Sequence, residues 1–181
     1  MNKILAIDPG PVQSAYLLYD PADMRICDKG IEPNLNVIAW MRSHPPFPAD
    51  TWMVIENVEN YGRFVGAGIF GTAKWVGRFI QVWVDLCPVL HRDMKFTEQP
   101  RRAVKLWLCN SPHSGNPEVR AALLDKFPAT GGGKTPAIGT KGQPGPLYGV
   151  KSHLFSALAL AVHYAETTAI LNLKREATEC G

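Results

Sequence analysis

Cysteine is scarce and unpatterned. The 181-residue sequence holds four, Cys27, Cys87, Cys109 and Cys180, widely separated and in no CxxC or Cys/His arrangement. A zinc ribbon needs closely spaced ligand pairs, and a small secreted fold needs a dense disulfide framework. Neither is expected, and the thiols read as reduced structural groups. Long apolar runs are missing too. Residues 1–7 include Lys3 and lead directly into Asp8 and Pro9, which leaves no apolar core for a signal peptide. The longest later run, residues 157–162, falls far short of the ~20 residues that span a bilayer. No membrane partner is expected, and a soluble cytoplasmic protein is. A dominant charge is also lacking: the net charge is +3, by itself weak evidence for a nucleic-acid partner.

What is present is an ordinary globular mixture, 46% apolar and 19% charged, enough for one core and one domain over residues 1–181. The charge is unevenly placed. Residues 1–60 carry four Lys/Arg against eight Asp/Glu. Residues 61–105 carry eight (Arg63, Lys74, Arg78, Arg92, Lys95, Arg101, Arg102, Lys105) against three. Lys134, Lys141 and Lys151 extend the basic middle. An acidic first third before a basic middle fits carboxylates that hold metal beside a surface that holds phosphate. Solvated helix faces scattered over the surface would give the same tally.

Residues 3–8 form a short apolar run that stops at Pro9-Gly10-Pro11, the pattern of a buried strand. Residues 14–19 and 24–31 read as two further strands in hairpin succession. An amphipathic helix over 34–43 follows, ended by His44-Pro45-Pro46. Residues 52–55 make a fourth strand, ending on Glu56. Helical spacing predicts a long helix from about 66 to 86, whose glycines lower its propensity but permit close approach of backbone or DNA. A short strand near 94–97 comes next, then helices over 101–109 and 117–127. The second of these has Asn116 as N-cap and Pro117 at its first position. The Gly/Pro-rich stretch at about 128–149 reads as a long loop, flexible, basic and close to any bound DNA. A strong helix from about 150 to 173 closes the chain. The sum is an α/β fold, a mixed sheet flanked by helices.

Asp8 and Glu56 each end a buried strand, so 48 intervening positions do not prevent them from converging at one sheet edge. Hard divalent cations require such oxygen clusters. Either residue alone would serve equally well as a turn or helix-capping carboxylate.

The segments ILAIDPG, VIENVENYG and GVKSHLFSALALAVHYAE resemble the three metal-binding segments of RuvC-type Holliday junction resolvases. The similarity is closer to the small phage-type branch, with further matches at YGRFVG, TAKWVGRFIQ, RRAVKLWLC, NPEVRAALLDKF and AIGTKGQPGPLYGV. The resemblance implies an RNase H-like mixed five-stranded sheet flanked by helices and a metal-dependent endodeoxyribonuclease. It matches Asp8 and Glu56 to the family's two carboxylates, and it places His153 where a third ligand, Asp or His, is found. Many members carry a further Asp one turn later, where this chain has Ser156. The implied cofactor is Mg²⁺ or Mn²⁺, one or two ions per site, with Mn²⁺ favoured if the imidazole binds. A His at a helix start would otherwise be a cap or a surface group.

For DNA, Lys74 and Arg78 share a helix face, Arg101, Arg102 and Lys105 cluster on the next basic segment, and Arg63 precedes them all, just after Glu56. Lys134, Lys141 and Lys151 would approach phosphate as well. Glu59, Tyr61 and Phe64 follow Glu56 closely: the first could reach a metal or water, and the aromatics could stack on or wedge between bases, with core packing the alternative for Phe64. Gly131-Gly132-Gly133-Lys134-Thr135 lacks the earlier glycine and the preceding strand of a P-loop, so no nucleotide cofactor is expected. The expected substrate is branched DNA, a four-way junction first, cut by a homodimer because symmetric cleavage needs two active sites. The alternatives are a flap or fork nuclease with the same site, or a catalytically weak branched-DNA-binding protein. An actin-like ATPase is disfavoured by the chain's length.

Overall fold

The computed structural model describes residues 3–44, 51–59, 66–87 and 95–179, the stretch 173–179 by backbone alone. Its elements run β1 (Lys3–Asp8), β2 (Gln13–Asp20), β3 (Arg25–Pro33), α1 (Asn34–Ser43), β4 (Thr51–Asn57), α2 (Ala67–Leu86), β5 (Phe96–Pro100), α3 (Arg101–Cys109), α4 (Asn116–Lys126) and α5 (His153–Glu179). The five strands form one mixed sheet in the order β3-β2-β1-β4-β5. The β1–β2 and β2–β3 pairs are antiparallel, whereas β1–β4 and β4–β5 are parallel.

β1 is central, which explains its unbroken apolar run: both of its faces are covered. Side chains alternate across a strand, so Ile4 and Ala6 enter one core while Leu5 and Ile7 enter the other. Ala15, Leu17 and Val54 join Ile4 and Ala6 beneath α5, with α3 and α4 closing that side. Met53 and Ile55 join Leu5 and Ile7 beneath α1 and α2. Asp8 and Glu56 continue the even-numbered series of their strands. The pleat therefore turns both carboxylates toward the α5 side.

Three expectations change. The last strand lies at Phe96–Pro100, later than 94–97. Residue 94 itself falls outside the described residues. Asn116 is the first residue of α4 and makes no capping bond, its place as cap being taken by Gly115. The 128–149 stretch contains no helix or strand beyond one isolated bridge, Gly139 to Pro144, yet it is cross-pinned rather than loose. Gly131 N donates to Pro136 O (2.9 Å), Gly132 N to Gln143 O (2.9 Å) and Leu147 N to Ala137 O (2.8 Å). Ala137 and Leu147 are buried in the α5-side core. Glycine permits this knot, since a Cβ on Gly131, Gly139 or Gly145 would strike neighbouring backbone.

The α5 segment His153–Asn172 is long and apolar enough to cross a membrane by length and composition, which a search for one unbroken apolar run does not reveal. Half of that segment is buried within the protein, chiefly against β1 and β2, as suits a core helix.

Candidate active site

The register of the parallel pair builds the site. Lys3 faces Thr51 and Ile7 faces Ile55, an offset of 48 residues, and one further step sets Asp8 beside Glu56. Two strand ends 48 positions apart in sequence thus become lateral neighbours. Asp8 is only 6% exposed. Burial raises its pKa, against the pull of Arg101, His153 and Ser156. Burial and then the nearby charge of Asp8 push Glu56 up to about 7, with Arg101 and Lys105 opposing. Two desolvated carboxylates, the second raised further by the charge of the first, form a site suited to a cation.

α5 supplies the third group. Ser152, with φ at 46°, occupies the left-handed region that non-glycine residues seldom enter, and His153 begins the helix immediately after it. His153 Nδ1 lies 3.0 Å from Asp8 Oδ2. With Nδ1–H donating to the carboxylate, the lone pair falls on Nε2. Ser156, one turn along, donates its hydroxyl to Asp8. The residue that replaces a fourth acid therefore serves the first one.

The loop after Asp8 is braced from below. Ser14 Oγ donates to Asn34 Oδ1 at 2.6 Å and accepts from Gly10 N at 3.2 Å. Asn34 Nδ2 donates to Gly10 O at 2.9 Å, and Asn34 N to Val12 O at 3.1 Å. Ser14 and Asn34 are both buried. Gly10 must be glycine, because a Cβ there would collide with the Gln13 carbonyl. Sequence reading overlooked Ser14 and Asn34, which look like an ordinary strand start and helix start.

Glu56 is held by Arg101, whose Nη1 donates to both Oε1 and Oε2 at 3.1 Å while Nη2 donates to Asn116 Oδ1 at 3.0 Å. An open cavity of about 830 Å³ spreads over these groups, lined by Asp8, Glu56, Glu59, Arg101 and His153 and by the start of α2 at Gly66, Gly68, Ile69 and Thr72. Lys105 flanks Glu56 in a small adjoining recess. Lys151 and Arg120 border a second cavity that shares His153, and Arg120 stacks over Phe155 at 5.5 Å. Arg120 went unremarked in the sequence. Arg102, Lys74, Arg78, Lys134 and Lys141 are exposed but do not line the main cavity, and Arg78 lies over the Trp75 ring at 4.7 Å. Tyr61, Arg63 and Phe64 lie outside the described residues.

The donor chemistry, two carboxylates and an imidazole around one mouth, fits Mg²⁺ or Mn²⁺. Among the described residues, however, no three His, Cys, Asp or Glu side chains are already gathered as a cage. Glu56 is turned to Arg101 instead.

No protein-family model and no curated protein sequence matches the chain. Solved structures do. RuvC of Thermus thermophilus in complex with Holliday junction substrate aligns with a TM-score of 0.56 at 17% identity, covering 91% of this chain and 93% of that one. A second structure of T. thermophilus RuvC aligns with a TM-score of 0.57 at 16% identity, covering 93% and 96%. At such identity it is the fold that is shared: this chain has the RNase H-like fold of RuvC, over nearly its whole length.

Proposed function

We propose that the chain is a divalent-metal-dependent endodeoxyribonuclease, cytoplasmic and homodimeric, that resolves four-way DNA junctions or closely related branched DNA. One observation carries the reading: Asp8 and Glu56, both desolvated, stand side by side at the ends of adjacent parallel strands, with His153 on Asp8. The fold shared with a RuvC that was solved on a Holliday junction supports the choice of substrate.

Asp8, Glu56 and His153 would hold Mg²⁺ or Mn²⁺, which supplies an activated water and charge stabilisation at the leaving oxygen when bound. The protein's own part is positional and electrostatic. Ser156 and His153 fix the rotamer of Asp8 by hydrogen bonds, and the Ser14–Asn34 brace fixes the backbone beneath it. Burial of both carboxylates limits competition from bulk water and strengthens their attraction for cations. His153 can also take or give a proton at Nε2. Arg101, Lys105 and Lys151 border these groups and would neutralise phosphate at the scissile step, while the outlying Lys74, Arg78, Arg102, Lys134 and Lys141 would hold the arms of the substrate.

The test is cleavage of matched four-way, flap, fork and linear DNA in Mg²⁺ and in Mn²⁺. Paired symmetric nicks confined to four-way junctions and lost in Asp8→Asn are expected. Preferential cutting of flaps or forks would assign the same site to a different branched substrate. Binding of junctions with no cutting that Asp8→Asn removes would make the protein a DNA-binding module, with Ser156 as the disabling change.

A further inference from the structure

Arg101 is oddly placed for a residue that merely contacts DNA. It is the first residue of α3, with Arg102 beside it and no acidic side chain in that turn. Helix N-termini favour anions, so two arginines there weaken the helix rather than cap it. Arg101 turns its charge onto the two oxygens of Glu56. The geometry is also unusual, because a guanidinium normally meets a carboxylate fork to fork through two nitrogens. Here Nη1 alone spans Oε1 and Oε2, much as a point cation would, and Nη2 is tied to Asn116 on α4. The pair is partly open to solvent on the arginine side, with 36% of the Arg101 side chain and 17% of the Glu56 side chain exposed. An end-on, part-exposed pair is weak enough to exchange.

We propose that Arg101 is the resident cation of the metal-free site, seated on Glu56 and parked on Asn116 until a divalent ion displaces it toward bound phosphate. The inference rests on the metal-dependent reading above. It explains why the described side chains form no preassembled cage although the donors are in place: one donor is occupied by a cation the protein carries itself. It also makes metal and arginine competitors for Glu56. Removing the arginine should then improve metal binding, opposite to the effect expected of a metal-site support.

The experiment is calorimetric titration of the full chain with Mn²⁺ alone, without DNA, at about pH 8.5 under nitrogen so that protons do not compete for Glu56. Arg101→Ala is expected to bind Mn²⁺ about fivefold more tightly, the worth of roughly one part-exposed ion pair. Asn116→Ala keeps the arginine and removes only its parking contact, and is expected to tighten binding about twofold. Metal-free Arg101→Ala should melt below the parent chain and gain more from saturating Mn²⁺. Unchanged or weaker Mn²⁺ binding in Arg101→Ala, with binding by the parent chain evident, overturns the inference and leaves the nuclease reading standing. If the parent chain itself binds no Mn²⁺ at millimolar concentration, the metal-dependent reading fails and takes the inference with it.

Discussion

The two long helices of this protein are used in opposite ways. α5 buries Leu154, Phe155 and all six residues from Ala157 to Val162 against the sheet. α2, also long and apolar, buries only Val76, Phe79, Val82 and Trp83, all from its middle onward, and leaves Ala67, Gly68, Ile69 and Phe70 exposed. His153 begins the buried helix, whereas the open start of the other helix lines the cavity above the carboxylates. The candidate site thus takes one group from the start of the well-packed helix and lies open beneath the unpacked start of the other. That division is what a site needing both precise geometry and a bulky substrate requires.

The largest effects should come from the mounted groups. Asp8→Asn is expected to lower single-turnover junction cleavage by at least about 10³-fold, comparable with losing a principal electrostatic contact, while gel-shift affinity for the junction is retained. Loss of binding in parallel with cleavage would mean that Asp8 shapes the surface rather than the reaction. On the same packed side, Leu158→Ala removes a fully buried side chain and should cost about 2–5 kcal/mol in urea unfolding. Phe70→Ser, in the open half of α2, should stay within about 0.5 kcal/mol. Similar costs for the two would erase the contrast between the helices.

The sequence made the strands plain and their meeting obscure. Residues 3–8 and 52–55 declare themselves by apolar runs. That Asp8 and Glu56 are neighbours depends on a parallel register offset of 48, which the intervening β2, β3 and α1 leave unspecified. Pleat parity carries the rest: even positions face α5 in both strands, but parity informs only once the pairing is known. His153 was reached through family resemblance, since nothing local separates it from a helix cap. Ser14 and Asn34 escaped notice because a buried polar brace and an exposed turn use the same residue types. The 128–149 loop misled for a related reason, as glycine and proline are equally suited to a mobile segment and to a tight knot of backbone.

Between those extremes lies the brace beneath Asp8. Asn34→Ala deletes two side-chain hydrogen bonds and leaves the Ser14 hydroxyl proton without its acceptor in a buried site, so a loss of about 1–3 kcal/mol in stability is expected. Cleavage should fall through kcat rather than KM, because Asn34 itself does not line the cavity and acts on Asp8 only through the loop that follows it. A change confined to KM would reassign it to substrate binding.

The site should also write its own pH signature on the metal-free protein. Glu56 keeps its proton up to about pH 7 in the folded chain, whereas unfolded glutamate releases it near ~4.3. Between those values the folded state binds more protons, so stability falls as pH rises through about 4.5 to 7 and levels off above. Asp8, shifted in the same direction by burial, adds to the decline. Glu56→Gln should flatten much of that decline, and added Mn²⁺ should restore stability increasingly as pH climbs through the window. A melting profile of Glu56→Gln that parallels the parent chain would show that the carboxylate is not the group responsible.

The smallest expected effects separate the two halves of α2 most finely. Gly77 lies in the half of the helix that packs, yet a Cβ there meets nothing within 4 Å. Gly77→Ala should therefore stabilise the chain by about 0.5–1 kcal/mol through helix propensity alone. Gly71 has the same propensity to gain, but its Cβ would lie 3.1 Å from Cβ of Pro11, in the loop that follows Asp8. Gly71→Ala must push on that loop, so its stability gain should be smaller than that of Gly77→Ala. Cleavage should fall in Gly71→Ala and stay unchanged in Gly77→Ala. Equal gains with equal activity would show that the start of α2 is merely unpacked and has no mechanical hold on the site beneath it.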